Sequence, residues 1–149
     1  MKNGRLLFFT LIFSSILLGS CGSTEEKLPI VTSDNIVLDR PAVPGDYSGK
    51  ENPYSTDEAA SESGQKLYTK YCANCHGKEG AGDGPSSPSL DPKPQNLTST
   101  QPNLMDDYLF WRISEGGSME PFKSSMPPWK SVLNEEDIWQ IITYIRSLE

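Results

Sequence analysis

The chain has 149 residues, with 13 basic against 20 acidic side chains and a formal net charge of −7 at pH 7. That length fits one domain with extensions. The acidic balance excludes a nucleic-acid-binding protein, because contact with phosphates requires a basic surface.

Residues 1–21 have the pattern of a bacterial export signal. Two basic residues precede an apolar run over residues 6–18, which is shorter than the ~20 residues of a membrane-spanning helix. Leu18 to Cys21 then resembles a lipobox, in which the cysteine is lipidated and becomes the mature N-terminus. We predict a cleaved signal peptide over 1–20 and a lipid anchor on Cys21. An ordinary secretory signal that leaves a free thiol is the alternative.

Residues 21–54 lack any sustained helical or strand period, and prolines interrupt them at positions 29, 41, 44 and 53. Such a segment buries too little apolar surface to fold alone. We predict a disordered, flexible tether that ends at residue 54, followed by a folded domain over residues 55–149. The domain would then lie on the periplasmic or extracytoplasmic side of a membrane in the bacterial cell envelope.

The first predicted helix leads from a capping-box pattern, Ser55 to Glu58, into the middle of the chain. Its apolar stripe recurs at helical spacing, with the members Ala60, Gly64, Leu67, Tyr71 and Cys75. Gly64 lies on that stripe although glycine costs ~1 kcal/mol in a helix. We interpret it as a point where another helix approaches closely.

The pentapeptide Cys72-Ala73-Asn74-Cys75-His76 has the C-x-x-C-H pattern by which c-type haem is attached. At this spacing two thiols and an imidazole project from one helical face. A zinc site needs about four ligands, and a redox dithiol is typical of a βαβ unit that the sequence does not show. We therefore predict one covalent haem c, held by Cys72 and Cys75, with His76 as an axial iron ligand.

A glycine-rich loop follows over residues 77–85. Ligating histidines usually donate their second ring N–H to an acceptor that fixes the ring. The carbonyl of Pro85 is our candidate acceptor for His76.

A second helix is predicted over residues 104–115, where Gly116 and Gly117 stop it. Trp111 or Arg112 could donate a hydrogen bond to a haem propionate. Packing of the tryptophan and solvation of the arginine is the alternative, and the favoured interpretation.

The chain has a single histidine, so a second histidine ligand is excluded and methionine is the soft ligand left for the other axial position. Met126 is our choice because Pro127 and Pro128 follow it and fix a non-helical backbone. Met119 is the alternative, and a methionine that only packs would leave the iron open.

The last predicted helix is capped by Asn134 with Asp137 at its third position. A buried stripe follows, with the members Ile138, Ile141, Ile142, Ile145 and Leu148. Acidic clusters at 106–107 and 135–137 could steer a basic partner, but stabilisation by the helix N-termini explains both of them.

Residues from about 57 to 148 resemble a class I cytochrome c domain. The features that carry the likeness are Gly64 and Tyr68 ahead of the C-x-x-C-H motif, the loop from Gly82 to Pro85, the sequence Met126-Pro127-Pro128-Trp129, and a closing helix with Trp139 and Tyr144. The resemblance implies an all-α fold whose N- and C-terminal helices cross over the haem near Gly64, with His76 and Met126 as axial ligands. Pro85, Trp111, Arg112, Pro127 and Trp129 are then candidates for the haem environment.

The resemblance also implies transfer of single electrons in a respiratory chain, with no enzymatic activity and no small-molecule substrate. The lipobox and tether are similar to those of small lipoprotein cytochromes, including the mono-haem subunit of alternative complex III. The implied partners are a quinol-oxidising complex and a terminal oxidase or reductase. A haem peroxidase or ligand sensor is the alternative if Met126 does not bind the iron, and a lipoprotein with a purely structural C-x-x-C-H is a third.

Overall fold

The computed structural model describes residues 40–149, and within that range the fold is all-α, as predicted. The helices are α1 (Glu58–Tyr71), α2 (Ala73–His76), α3 (Leu97–Thr100), α4 (Asp106–Glu115) and α5 (Glu135–Arg146), with 3-10 turns at Ser87–Ser89, Gln101–Asn103 and Trp129–Ser131. None of the helices in this range is long and apolar enough to cross a membrane. The predicted signal peptide, the lipidation site Cys21 and the tether up to residue 39 lie outside the described residues.

The core is organised around the crossing of α1 and α5 at Gly64. A Cβ atom on Gly64 would lie 1.9 Å from the backbone oxygen of Gln140, so only glycine allows the two helices to come this close. Beside the crossing, Ile141 and Ile142 of α5 are completely buried. The close approach predicted from the position of Gly64 on its stripe is therefore present.

The helix ends follow local side chains. Asp57 caps α1 by accepting a hydrogen bond from the backbone N–H of Ala60 at 3.0 Å, so the predicted start at Ser55 is wrong by two residues. The capping box of Asn134 and Asp137 on α5 is present as predicted. Helix α4 begins two residues after the predicted position and ends at Gly116, which has a left-handed φ of 72°.

Residues 40–54 pack against the helices, and we call them the strap. Asn52 of the strap is buried and donates a hydrogen bond to the Thr143 hydroxyl at 3.0 Å. Tyr47 packs on Phe110 with ring centroids 6.2 Å apart, and Lys50 pairs with Glu135 at 3.1 Å. The prediction that the disordered tether extends to residue 54 is therefore wrong for this part. The strap buries polar and aromatic side chains on α4 and α5, and none of these contacts leaves a periodic pattern in the sequence.

Candidate functional site

The C-x-x-C-H motif lies at the junction between α1 and α2. Cys72 is both the C-cap of α1 and the N-cap of α2, and its backbone N–H donates to the carbonyl of Tyr68 at 2.8 Å. The backbone N–H groups of Cys75 and His76 in turn donate to the Cys72 carbonyl, at 3.1 and 2.9 Å. One helical turn therefore presents both thiols and the imidazole, as their spacing predicts.

The ring of His76 is oriented by the loop that follows it. Its Nδ1 lies 3.2 Å from the carbonyl oxygen of Gln95, so the tautomer with a proton on Nδ1 donates there and leaves Nε2 as the lone-pair nitrogen. Burial lowers the pKa of His76, and this favours the neutral, ligating form. The proposed acceptor Pro85 is wrong; Pro85 is exposed, and Gln95 takes this position.

Gly82 brings the carbonyl of Gln95 to the ring. The backbone N–H of Gly82 donates to the carbonyl of His76 at 2.8 Å. A Cβ atom at this glycine, whose φ is 79°, would lie 2.6 Å from the backbone oxygen of Pro94. The loop can therefore fold back tightly enough for residues 94–95 to reach the histidine.

The two cysteines of the motif are free, partly buried thiols. Neither is in a disulfide. Burial, with a smaller effect of Cys75, raises the pKa of the Cys72 thiol to about 12, so it is protonated at neutral pH. A protonated thiol is a slow redox nucleophile. Within residues 40–149 no group of three or more His, Cys, Asp or Glu side chains is arranged to hold a metal ion.

Three methionines lie in the described range, and their environments differ. Met105 is 75% exposed. The sulfur of Met119 lies 3.4 Å from Nη1 of Arg112, which donates to it. Met126 is half-buried against the core, and no donor to its sulfur occurs among residues 40–149. Of the three, Met126 has the environment that best fits a sulfur ligand.

Residues 59–145 match the family described as Cytochrome C oxidase, cbb3-type, subunit III. The chain belongs to this cytochrome c family. The match spans the site and the helices that build it, and it confirms the resemblance to class I cytochrome c. Such a domain is an electron-transfer haem protein with covalently bound haem c.

Two solved structures show the same fold. The chain is similar to cytochrome CL from the marine methylotrophic bacterium Methylophaga aminisulfidivorans MPT, with 28% identity over 65% of this chain and 58% of that one, and a TM-score of 0.51. It is also similar to a chain of the reducing HAO-like protein complex of Kuenenia stuttgartiensis, with 24% identity over 74% of this chain and 52% of that one, and a TM-score of 0.54. The chain thus spans less than two thirds of the length of each.

The residues of this cytochrome c domain fit a covalent haem. Two thiols without a disulfide lie one helical turn apart, and the adjacent imidazole is already oriented by a backbone carbonyl. These are the three groups that attachment and proximal ligation require. Tyr71 and Trp129 lie near the motif and pack on each other with ring centroids 5.4 Å apart.

Tyr68 supports the cytochrome c motif from within α1. Its side chain is 1% exposed, and its hydroxyl donates to the carbonyl of Gly77 at 2.9 Å. Burial raises the pKa of Tyr68, so the hydroxyl stays protonated and keeps donating. Its ring lies 5.2 Å from that of Tyr144 on α5. Tyr68 therefore ties the residue after His76 to the crossing of the terminal helices.

Trp111 packs as the favoured interpretation predicts, but the expectation that Arg112 is solvated is wrong, because its side chain is half-buried. Trp111 is 6% exposed and packs against Tyr108 and Phe122. The Arg112 guanidinium lies 3.4 Å from the centroid of the Phe122 ring, where a cation–π contact stabilises it.

The acidic clusters of the cytochrome c domain have partners inside the domain. Asp106 pairs with Arg146 at 2.6 Å, and Asp107 accepts a hydrogen bond from the backbone of Gly49. Glu135 pairs with Lys50, and Asp137 belongs to the capping box of α5. This arrangement agrees with the structural interpretation of both clusters.

Proposed function

We propose that this protein is a membrane-tethered mono-haem cytochrome that passes single electrons in a bacterial respiratory chain. It would act as a carrier or as the cytochrome subunit of a quinol-oxidising complex of the alternative complex III type, and donate to a terminal oxidase or reductase. The observation that carries the proposal is the single helical turn with Cys72, Cys75 and a His76 fixed by Gln95. The description of the matched family, which names an oxidase subunit, supports a place in such a chain.

When bound, the haem supplies an iron that alternates between two oxidation states and so carries one electron. The residues of the chain would hold the haem and supply the ligands of its iron. Cys72 and Cys75 would hold the porphyrin edge through thioethers, and the Gln95 carbonyl keeps His76 in the ligating tautomer. Met126 would fill the other axial position. A thioether ligand opposite a histidine raises the reduction potential and closes the iron to small molecules.

Haem attachment and methionine ligation are tested together on holoprotein produced with a bacterial haem-attachment system. We expect one haem per chain to stay with the protein in denaturing electrophoresis and to be lost in Cys72→Ala/Cys75→Ala. The oxidised parent should show the long-wavelength sulfur-to-iron charge-transfer band, and the reduced parent should not bind carbon monoxide. Met126→Ala should abolish the band, while the matched variant Met119→Ala should keep it.

The opposite result would change the proposal. Ready carbon monoxide binding by the parent, without the sulfur band, would indicate an open iron and favour a peroxidase or ligand sensor. Loss of the band in Met119→Ala alone would assign the ligand to Met119.

The membrane location rests on the sequence Leu18 to Cys21 alone. Mass spectrometry of the mature N-terminus should find a diacylglyceryl group on Cys21, and Cys21→Ser should release the holoprotein from the membrane fraction. A soluble parent protein with an unmodified N-terminus would refute the anchor.

Native electrophoresis of membranes solubilised in mild detergent, followed by haem staining, distinguishes a free carrier from a subunit of a complex. A band near the mass of the chain supports a carrier. A large band that contains this chain supports a subunit of a complex.

A further inference from the structure

The segment that carries Met126 is held by the end of α4. The backbone N–H of Gly117 donates to the carbonyl oxygen of Met126 at 2.8 Å. Two residues earlier, the backbone N–H of Ser124 donates to the carbonyl of Gly117 at 2.7 Å. Two main-chain hydrogen bonds thus fix the position of the Met126 backbone relative to the end of α4.

Gly116 lets the two segments come into contact. A Cβ atom at this position would lie 2.5 Å from the carbonyl oxygen of Met126, and 2.6 Å from the carbonyl carbon of Pro127. Both are backbone atoms, which cannot move aside by a change of rotamer. The φ of Gly116 is 72°, a conformation that side chains other than glycine disfavour.

The residues that follow Met126 also restrict the movement of its backbone. Pro127 and Pro128 fix their own φ angles, and Trp129 begins a short 3-10 turn directly after them. Lys130 in that turn pairs with Glu115, the last residue of α4, at 2.7 Å. The segment is therefore held to the end of α4 on both sides of the two prolines.

We propose that Gly116 is a positioning residue for Met126: its lack of a side chain sets the distance at which the end of α4 holds the Met126 backbone, and hence the reach of the sulfur to the iron. The inference rests on the proposed role of Met126 as an axial ligand. A Cβ atom at position 116 would push the Met126 backbone away from α4. The Met126 side chain would move with it, and the bond between its sulfur and the iron would weaken.

The test compares holoprotein variants Gly116→Ala and Gly49→Ala. Gly49 is the matched control because it also has a left-handed φ, of 78°, but a Cβ atom there meets nothing within 4 Å. Both variants should lose stability through backbone strain. Only Gly116→Ala should weaken the sulfur-to-iron band, lower the reduction potential, and raise the affinity of the ferric protein for imidazole by about tenfold, which corresponds to ~1.4 kcal/mol.

A second variant covers the case in which Gly116→Ala does not fold with haem. It places Gly116→Ala in a Pro127→Ala/Pro128→Ala background, where the segment is no longer held by two fixed φ angles and can move away from the new Cβ atom. Compared with Pro127→Ala/Pro128→Ala alone, this variant should show the same change in band and imidazole affinity.

The outcomes separate this inference from the proposed function. If the parent has no sulfur band, or Met126→Ala keeps it, the assignment of Met126 as ligand fails. If Met126→Ala loses the band while Gly116→Ala retains the band and the imidazole affinity of the parent, the ligand assignment stands and the positioning role of Gly116 is refuted. The same holds if adding Gly116→Ala to Pro127→Ala/Pro128→Ala changes neither the band nor the imidazole affinity.

Discussion

Replacing Asn52 by alanine should destabilise the whole domain, although Asn52 lies in the strap, before the first helix. The side chain is 7% exposed. Its amide nitrogen donates to the Thr143 hydroxyl at 3.0 Å, and its oxygen accepts from the backbone N–H of Tyr54 at 2.9 Å. Asn52→Ala removes both bonds and a longer one from the amide nitrogen to the carbonyl of Trp139 at 3.4 Å, and it leaves a partly buried N–H of Tyr54 without this acceptor.

Each of these hydrogen bonds contributes about 1 kcal/mol, and an unpaired buried group adds to the loss. We expect the free energy of unfolding to fall by about 2–3 kcal/mol. For a domain of this size that corresponds to a decrease of roughly 10 °C in melting temperature.

The assay is thermal unfolding of the holoprotein followed by far-ultraviolet circular dichroism. The control is Asn103→Ala, because Asn103 is exposed and its side chain makes no hydrogen bond within residues 40–149. A melting temperature of Asn52→Ala within about 1 °C of the parent, or an equal loss in Asn103→Ala, would show that the strap does not stabilise the domain through this residue.

Gly64→Ala should lower the free energy of unfolding, measured with a chemical denaturant, by about 3 kcal/mol or more. The new methyl group would overlap the carbonyl of Gln140, and this outweighs the better helix propensity of alanine. An unchanged denaturation midpoint would contradict the close helix crossing. Glu115→Gln tests a pH dependence. Hydrogen bonds from Lys130 and Tyr47 lower the pKa of Glu115 in the folded state, so its stabilisation is present above the unfolded pKa of about 4.3 and is lost as the pH falls through the lower folded value. The stability difference between parent and Glu115→Gln should therefore be positive at pH 7 and shrink towards pH 3, and a difference independent of pH would refute the assignment.

The sequence predicted what depends on local patterns. The apolar stripe of α5 recurs every three to four residues, and Asn134 and Asp137 form its capping box. The helix and its first residue could therefore both be predicted from the sequence. The C-x-x-C-H motif defines its own geometry, because the three side chains lie within one turn. Gly64 was informative because glycine on an apolar stripe is costly unless a neighbour requires it.

What the sequence did not predict depends on contacts between residues far apart in the chain, which leave no local pattern. The acceptor for His76 is the main-chain oxygen of Gln95, and every residue has such an oxygen. The strap was predicted as part of the tether because its contacts come from single side chains such as Asn52, which is far in sequence from Thr143. The hold of Gly117 on Met126 is likewise a main-chain hydrogen bond.

The crossing at Gly64 pairs the first long helix of the domain with its last one. A chain is synthesised from its N-terminus, so α1 and the two thiols of the C-x-x-C-H motif are complete before any residue of α5 exists. The part of the core that covers Tyr68 through Tyr144 is therefore the last to be made. Contacts between such distant segments also form slowly, because the loop between them must close first. The two attachment cysteines are thus present in the chain before the helix that completes the core around Tyr68.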